Sequence, residues 1–253
     1  MTRLFLHQLR VEQKVFWRNR ESAVFIFIFP IMLFVLLASV YSDTITIDGV
    51  RWPAEYVLLA GMLSYGAANT AFAGLAITLV IRREAGLLKR LRSTPLPAQS
   101  YIAAVVASML VVFALEAVAL FAIGRLAFGT ALPHDVLSLA LLVLIGIAGF
   151  AGIGFAVASL IRSAEGSSAV VNVILLPMAF LAGSFGPARH LPKVLAWIAE
   201  VLPLKYFIEL ANTVYLDGDH VWSKPGPIAV VLAWGAAGLI VALRRFRWEP
   251  RES

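Results

Sequence analysis

The chain has 253 residues, of which 60% are hydrophobic and 14% are charged, and its mean hydropathy is +0.86. Soluble domains carry roughly 45–50% apolar and about 25% charged residues, and one water-soluble core cannot hold the excess. The composition therefore indicates an integral membrane protein. The sequence contains no cysteine, which excludes disulfides, thiolate metal sites and cysteine nucleophiles. The net charge of +6 does not by itself indicate nucleic acid binding, because the cations are placed between the apolar runs.

The N-terminal segment predicts an amphipathic helix lying in the membrane interface. Its basic side chains and one histidine share a narrow stripe on a helical wheel: Arg3, His7, Arg10, Lys14 and Arg18. Phe5, Leu9 and Phe16 lie opposite. Such a helix turns its cations toward lipid headgroups or toward a partner. Docking of a partner and simple anchoring at the membrane are both consistent with the stripe.

Six apolar runs follow, and each is long enough for a membrane helix of about 20 residues. Their bounds are about 22–42, 56–81, 99–124, 136–161, 167–186 and 226–243, with a bend in the fifth at Pro177. The first run is too long for the core of a signal peptide and ends without a small-residue cleavage site. The sequence therefore predicts an all-α membrane protein with six transmembrane helices.

The distribution of cations predicts the orientation. Of the 21 Lys and Arg residues, 15 fall on the side of the N-terminus and 6 on the other side. Because loops rich in Lys and Arg stay in the cytoplasm, we expect a multi-pass protein of the cell membrane with both termini cytoplasmic.

The loop RREAGLLKRLRSTPLP, after the second run, predicts a short cytoplasmic helix that ends before Pro95. Three leucines share one side of this helix, and basic residues form its rim: Leu87, Leu88 and Leu91, with Arg83, Lys89, Arg90 and Arg92. An apolar face outside the membrane is typical of a docking element for a groove on a soluble partner. The alternative is a basic loop that rests on the membrane surface.

Few polar groups lie inside the predicted spans. Glu116 is the only ionisable side chain deep in a span, which makes it either a functional carboxylate or a hydrogen-bonded structural one. Asn69 and Thr70 in the second span, and Asn172 and Pro177 in the fifth, are candidates for a translocation pathway or a dimer seam. Polar contacts between neighbouring helices are the alternative. The glycines of the fourth span predict close helix packing or a bend: Gly146, Gly149, Gly152 and Gly154.

The segment after the fifth run contains two apolar stretches separated by Pro203. Helices of this kind either dip into the outer leaflet, where protein shields their backbone, or form an external cap.

Motifs for catalysis are absent from the sequence. It has no G-x-x-x-x-G-K-[ST], no H-E-x-x-H and no G-x-S-x-G, and its four histidines lack ligand spacing. We therefore expect no cofactor, no metal and no catalytic residue in this chain.

Several stretches carry a family resemblance: RNRESAVFIFIFPIMLF, REAGLLKRLRSTPLP, LPMAFLAGSFGP and LPLKYFIE. With them, the chain resembles the membrane subunit of type-2 ATP-binding-cassette exporters, particularly permeases of the daunorubicin-resistance type that export drugs or lipids. The resemblance implies external re-entrant helices, a separate ATPase subunit that binds ATP and Mg, and a second permease copy or a homologous permease. It also implies a coupling helix that includes Arg83, Glu84, Gly86, Leu87, Leu88, Arg90 and Leu91. Only one acid, Glu84, precedes the leucines, where the family often has more.

A stand-alone carrier or channel and a membrane enzyme or scaffold are the alternatives to an exporter permease. A stand-alone carrier or channel needs no docking helix, and a proton-driven carrier usually has more intramembrane carboxylates. A membrane enzyme or scaffold would be supported by paired carboxylates or a histidine cluster, which the sequence lacks. The sequence favours a permease for a hydrophobic or amphipathic substrate, with membrane lipid around it.

Overall fold

The computed structural model describes residues 2–41, 43–47, 49–94, 96–186 and 191–246. The N-terminal helix is α1 (Thr2–Arg18), and a turn of helix (Arg20–Ala23) leads into α2 (Val24–Val40). A hairpin of β1 (Thr44–Ile47) and β2 (Val50–Pro53) precedes the long helix α3 (Ala54–Glu84). The remaining helices are α4 (Leu87–Arg92), α5 (Ala98–Phe128), α6 (Val136–Leu160), α7 (Ser167–Ala182), α8 (Lys193–Val201), α9 (Pro203–Tyr215) and α10 (Pro225–Arg245).

Within the described residues, four helices are long and apolar enough to cross a membrane: α3, α5, α6 and α10. The apolar helices α2 and α7 are shorter, with 17 and 16 residues. The helical membrane architecture expected from the sequence is confirmed at this level.

Helix α3 lies at the centre of the bundle. In the most apolar 18-residue stretch of α3, 83% of the residues are buried. In the corresponding stretch of α10, 22% are buried. Its sequence explains this position, because leucine, alanine and glycine occur on all sides and leave no polar face. Such a helix has to be covered by other helices all round. Helices α2, α5, α6 and α9 supply that cover.

Helices α6 and α10 touch backbone to backbone through glycines. A Cβ atom on Gly152 would lie 2.1 Å from the carbonyl oxygen of Gly235, and one on Gly238 would lie 2.4 Å from that of Gly152. A Cβ atom on Gly149 would lie 2.5 Å from the Val231 side chain and 2.9 Å from its carbonyl oxygen. The predicted packing role of the glycines in the fourth span is therefore confirmed, and we call this contact the glycine seam.

Two helical segments are wound as π-helix, Val24–Ile28 in α2 and Asn69–Gly74 in α3. They lie against each other, since the Asn69 side-chain amide donates to the Phe25 carbonyl oxygen at 3.2 Å. Single turns of π-helix occur mostly within longer helices and often at functional positions.

The hairpin was not predicted from the sequence. Its strands pair antiparallel, with Ile47 opposite Val50 and Thr44 opposite Pro53. The turn includes Gly49 at φ +84°, a left-handed conformation that glycine adopts without strain. The predicted break at Pro203 is confirmed, since α8 ends at Val201 and α9 begins at Pro203.

Candidate coupling site

Arg82, near the end of α3, joins three helices. Its guanidinium contacts the Glu12 carboxylate of α1 at 2.7 Å and donates to the Tyr101 hydroxyl of α5 at 2.9 Å. The side chains of Arg82 and Glu12 are only 11% and 6% exposed. A shielded ion pair resists screening by salt better than a surface pair does. The pair therefore fixes α1 against the bundle at the root of α4.

A second set of contacts holds α1 along α5. The Gln13 side-chain amide donates to the Ser108 carbonyl and hydroxyl oxygens, both at 2.9 Å. Phe16 packs with Ile26 and Val112 in a small apolar cluster. The opposite face is exposed, including every member of the predicted stripe: Arg3, His7, Arg10, Lys14 and Arg18. The amphipathic helix is thus present, with one face bound to the bundle.

Arg83 points into the bundle, toward the end of α6. Its guanidinium donates to the carbonyl oxygens of Ala158 at 3.0 Å and Ile161 at 2.7 Å, and to Glu84 at 3.0 Å. The last carbonyls of a helix lack intrahelical partners, and a cation there also complements the helix dipole. We predicted Arg83 on the solvated rim of a docking helix. That placement is wrong, because the side chain is only 1% exposed.

Helix α4 is attached to α3 through a sharp turn. Gly86 has φ +68°, a left-handed conformation that interrupts the helix between α3 and α4 and that glycine adopts without strain. The predicted exposed face of three leucines is wrong in part. Leu88 is fully buried against the bundle and Leu91 is half-buried, whereas Leu87 is 42% exposed. Among the α4 side chains that the structure describes, Leu87, Lys89 and Arg90 are exposed to a partner, and the side chain of Arg92, predicted on the rim, lies outside that description.

Glu116 lies inside the bundle, fully buried between α5 and α3. The Thr70 hydroxyl donates to its Oε2 at 3.1 Å, while its Oε1 has no hydrogen-bond partner among the described residues. Gly66 makes room for the carboxyl group, since a Cβ there would lie 2.2 Å from Oε1. The polar pair of Thr70 and Glu116 thus joins two helices within one copy of the chain.

The four pathway candidates separate into two groups. Asn69 and Thr70 are buried within the protomer, so neither side chain faces a pathway or a seam in this arrangement. Asn172 and Pro177 lie exposed on α7, and the Asn172 amide donates to the Ser168 carbonyl oxygen of its own helix at 2.9 Å.

Comparison with known proteins identifies the family. The family described as "ABC-2 type transporter" matches residues 3–216 of the chain. The chain belongs to the ABC-2 type transporter family. It is 25% identical to YvfS of Bacillus subtilis, named as a transport permease, over 88% of this chain and 89% of YvfS. It is 24% identical to ycf38 of Porphyra purpurea, also named as a transport permease, over 91% of this chain and 79% of that protein.

A third relative is longer than this chain. YbhR of Escherichia coli, named as a multidrug ABC transporter permease, is 25% identical over 67% of this chain and 47% of YbhR. The aligned part is thus about half of YbhR. Membership of the ABC-2 family implies association with an ATP-binding-cassette ATPase.

At the opposite end of this ABC-2 permease from α4, Asp135 caps α6. Its carboxylate accepts from the backbone N–H groups of Leu137 and Ser138 and from the Ser138 hydroxyl. It also lies 2.7 Å from Nδ1 of His220. The Ser138 hydroxyl, then His220 and the backbone donors, hold the pKa of Asp135 at about 2. This cap joins the start of α6 to the segment before α10.

Two of the contacts that the sequence did not predict differ in whether a local signal exists. The Glu12–Arg82 pair spans 70 positions of the chain and has no local signature. The Asp135 cap does have one, because Asp directly before an apolar run is a helix-start signal.

Proposed function

We propose that the chain is the transmembrane subunit of an ATP-binding-cassette exporter for a hydrophobic or amphipathic substrate, either a drug or a lipid. It crosses the cell membrane six times, through α2, α3, α5, α6, α7 and α10, with both termini in the cytoplasm. Helices α8 and α9 enter the outer leaflet from outside. A separate cytoplasmic ATPase binds ATP and Mg and powers the cycle.

The observation that carries this proposal is the way α4 is fastened to the bundle. The buried Leu88 and the turn at Gly86 hold α4 against the bundle. The Arg83 side chain joins the end of α3 to the end of α6 by hydrogen bonds. Arg82 ties the same point to α1 and α5. A force on α4 therefore reaches four helices through direct contacts. A loop that served only as a topology signal would need the charges alone.

The transport step follows from this linkage. ATP binding closes the partner ATPases, and α4 carries that movement into the spans through Arg82 and Arg83. The bundle then shifts between inward-open and outward-open states, and a substrate biases the shift only through different affinities for the two. Glu84, beside Arg83, contributes to the register of docking more than to its strength.

Replacement of Leu87 by Asp tests the docking surface. Burying one leucine contributes roughly 1.5–3 kcal/mol, and a carboxylate at this position opposes that burial. We expect the Leu87→Asp permease to insert normally. The amount of ATPase that co-purifies with it in detergent should fall at least about tenfold. Leu88 is unsuitable for this test, because a charge at a fully buried position would disrupt the bundle itself.

Val50→Asp is the matched control, since Val50 is also exposed but lies in the hairpin at the other end of the bundle. It should retain the ATPase at the wild-type level. Wild-type recovery of the ATPase with Leu87→Asp would exclude α4 as the docking element and make the exposed stripe of α1 the leading candidate.

A further inference from the structure

An apolar cavity of about 160 Å³ lies beside α4, where α3, α6 and α10 end and α5 begins. Its walls include Leu79, Ile102, Phe155 and Leu239, and Leu88 of α4 closes one side. The one phenol that lines it, Tyr101, directs its hydroxyl to Arg82. Cavities of this size with aliphatic and aromatic walls stay dry and take up apolar molecules.

The cavity opens along the outer surface of α10. Leu243 is 81% exposed and Leu239 is 44% exposed, and both line the opening. Because α10 is a candidate span, its outer surface meets lipid chains and not water. Because the cavity lies beside α4, it lies within the leaflet next to the basic loop.

Cations lie next to the cavity residues along the chain. Arg244 and Arg245 stand between the lining residues Leu243 and Phe246, and Lys89 directly follows Leu88. All three cations are exposed. Long basic side chains at a helix end extend to the headgroup region while their stems stay in the apolar layer. An apolar cavity lined by a helix that ends in two exposed arginines matches a molecule with an anionic head and an aliphatic tail.

We propose that this cavity binds one acyl chain of an anionic phospholipid of the inner leaflet, with the phosphate on Arg244 and Arg245. The proposal rests on the membrane orientation given under Proposed function. The lipid chain contacts Leu88, so an occupied cavity holds α4 at a fixed depth relative to the spans. The anionic lipid of the cytoplasmic leaflet then becomes a condition for efficient coupling.

Chemistry favours a lipid over a peptide segment of the ATPase. A peptide would carry backbone N–H and C=O groups into a cavity that offers almost no hydrogen-bond partners, and each unpaired group costs free energy. An acyl chain has no such groups. It also reaches the opening from the bilayer without leaving the apolar layer.

Native mass spectrometry of the delipidated full-length permease tests the site. Dioleoyl phosphatidylglycerol and dioleoyl phosphatidylcholine are added separately, so that only the headgroup differs. We expect phosphatidylglycerol to bind on the order of tenfold more tightly, because each interfacial arginine favours an anionic lipid. The Arg244→Gln/Arg245→Gln variant should lose this preference, and Arg125→Gln, which removes an exposed cation at the far end of α5, should keep it.

The tail of the lipid is tested by filling the cavity. Ala242 lines it and is nearly buried, whereas Ala237 is exposed on the same helix and lies outside it. Ala242→Phe should reduce binding of both lipids by at least about fivefold, while Ala237→Phe should leave it unchanged. Equal lipid binding by these two variants would overturn the acyl-chain site. A phosphatidylglycerol preference that persists in the double Gln variant would overturn the headgroup site.

Other occupants give different results. If the cavity holds a segment of the ATPase, Ala242→Phe releases the ATPase and leaves lipid binding unchanged. If it holds the transported substrate, the same variant loses substrate-stimulated ATP hydrolysis with lipid binding unchanged. Either result overturns the lipid assignment. Failure of the docking proposal is distinguishable, because Leu87→Asp leaves the cavity and its lipid binding intact.

Discussion

At the scale of single residues, Arg83 shows how a charge is accommodated inside this bundle. Its guanidinium meets two carbonyl oxygens at the end of α6 and the carboxylate of Glu84, so most of its lost hydration is replaced. Removal of the charge would leave those carbonyls unpaired at a buried helix end.

We therefore expect Arg83→Gln to lower the free energy of unfolding by about 1.5–3 kcal/mol. Arg90→Gln is the matched control, because Arg90 is exposed on α4 and its replacement should change stability by less than about 0.5 kcal/mol. Unfolding in mixed micelles, followed by tryptophan fluorescence, measures both. Equal stability of the two variants would show that the Arg83 contacts contribute nothing to the fold.

The Asp135 cap predicts a pH dependence at the other end of α6. The pKa of this carboxyl is lowered to about 2, chiefly by the Ser138 hydroxyl, against about 3.9 for an ordinary Asp. Its contribution to stability is therefore complete above about pH 4 and is lost as the pH falls toward 2. Asp135→Asn should lower Tm at pH 6, and the difference from wild type should shrink only below about pH 4. A difference already absent at pH 5 would contradict the lowered pKa.

At the scale of elements, α7 carries a polar group where lipid would not favour one. Asn172 is exposed, and its neighbours on the same helix, Val173 and Ile174, are exposed apolar residues. The Asn172 amide donates one hydrogen bond within its own helix, but its remaining hydrogen-bonding capacity is costly to leave toward hydrocarbon and is used between two helices. We therefore propose that α7 lies at the seam between two permease copies.

The chain contains no cysteine, which allows a clean test of that seam. Asn172→Cys should form a disulfide-linked dimer in membranes on mild oxidation. Leu126→Cys, on the exposed far end of α5, is the control and should stay monomeric. Cross-linking of both variants, or of neither, would remove the support for a seam at α7.

The helix α4 shows what sequence could and could not predict. The spacing of its leucines predicts that Leu87, Leu88 and Leu91 share a side, and the basic residues predict its place between two spans. The direction of that side depends on the left-handed turn at Gly86 and on contacts made by distant helices. Periodicity carries no information on those contacts, so Leu88 was expected outside and lies inside.

The hairpin was missed for a different reason, because its signal was present in the sequence. Asp-Gly between the β-branched run Thr-Ile-Thr-Ile and the stretch Val-Arg-Trp is a strong hairpin pattern. The strands have four residues each, and the apolar runs on either side give a much longer hydrophobic pattern. By contrast, the buried Glu116 could be found from sequence because a single carboxylate in a long apolar run stands out. Its partner Thr70 lies in another helix, and its position needed the structure.

At the scale of the whole molecule, the six crossings and the cytoplasmic termini are open to a labelling test. Single cysteines at Ser93 and at Asp217 both lie on exposed positions. A membrane-impermeant maleimide should label Asp217→Cys in intact cells and Ser93→Cys only after the cells are opened. The physical reason is the excess of Lys and Arg on one side of the bundle. Labelling of Ser93→Cys in intact cells would reverse the topology.

The glycine seam between α6 and α10 also limits how such a molecule can change shape. Helices that meet through side chains can slide when those side chains change rotamer, but a carbonyl oxygen resting on a glycine has no rotamer to change. We therefore expect α6 and α10 to move together as one rigid body. Arg83 contacts the end of α6, so a movement of α4 acts on one end of this helix pair. Helix α6 is 25 residues long. A small displacement of α4 is therefore expected to become a tilt of both helices along their length.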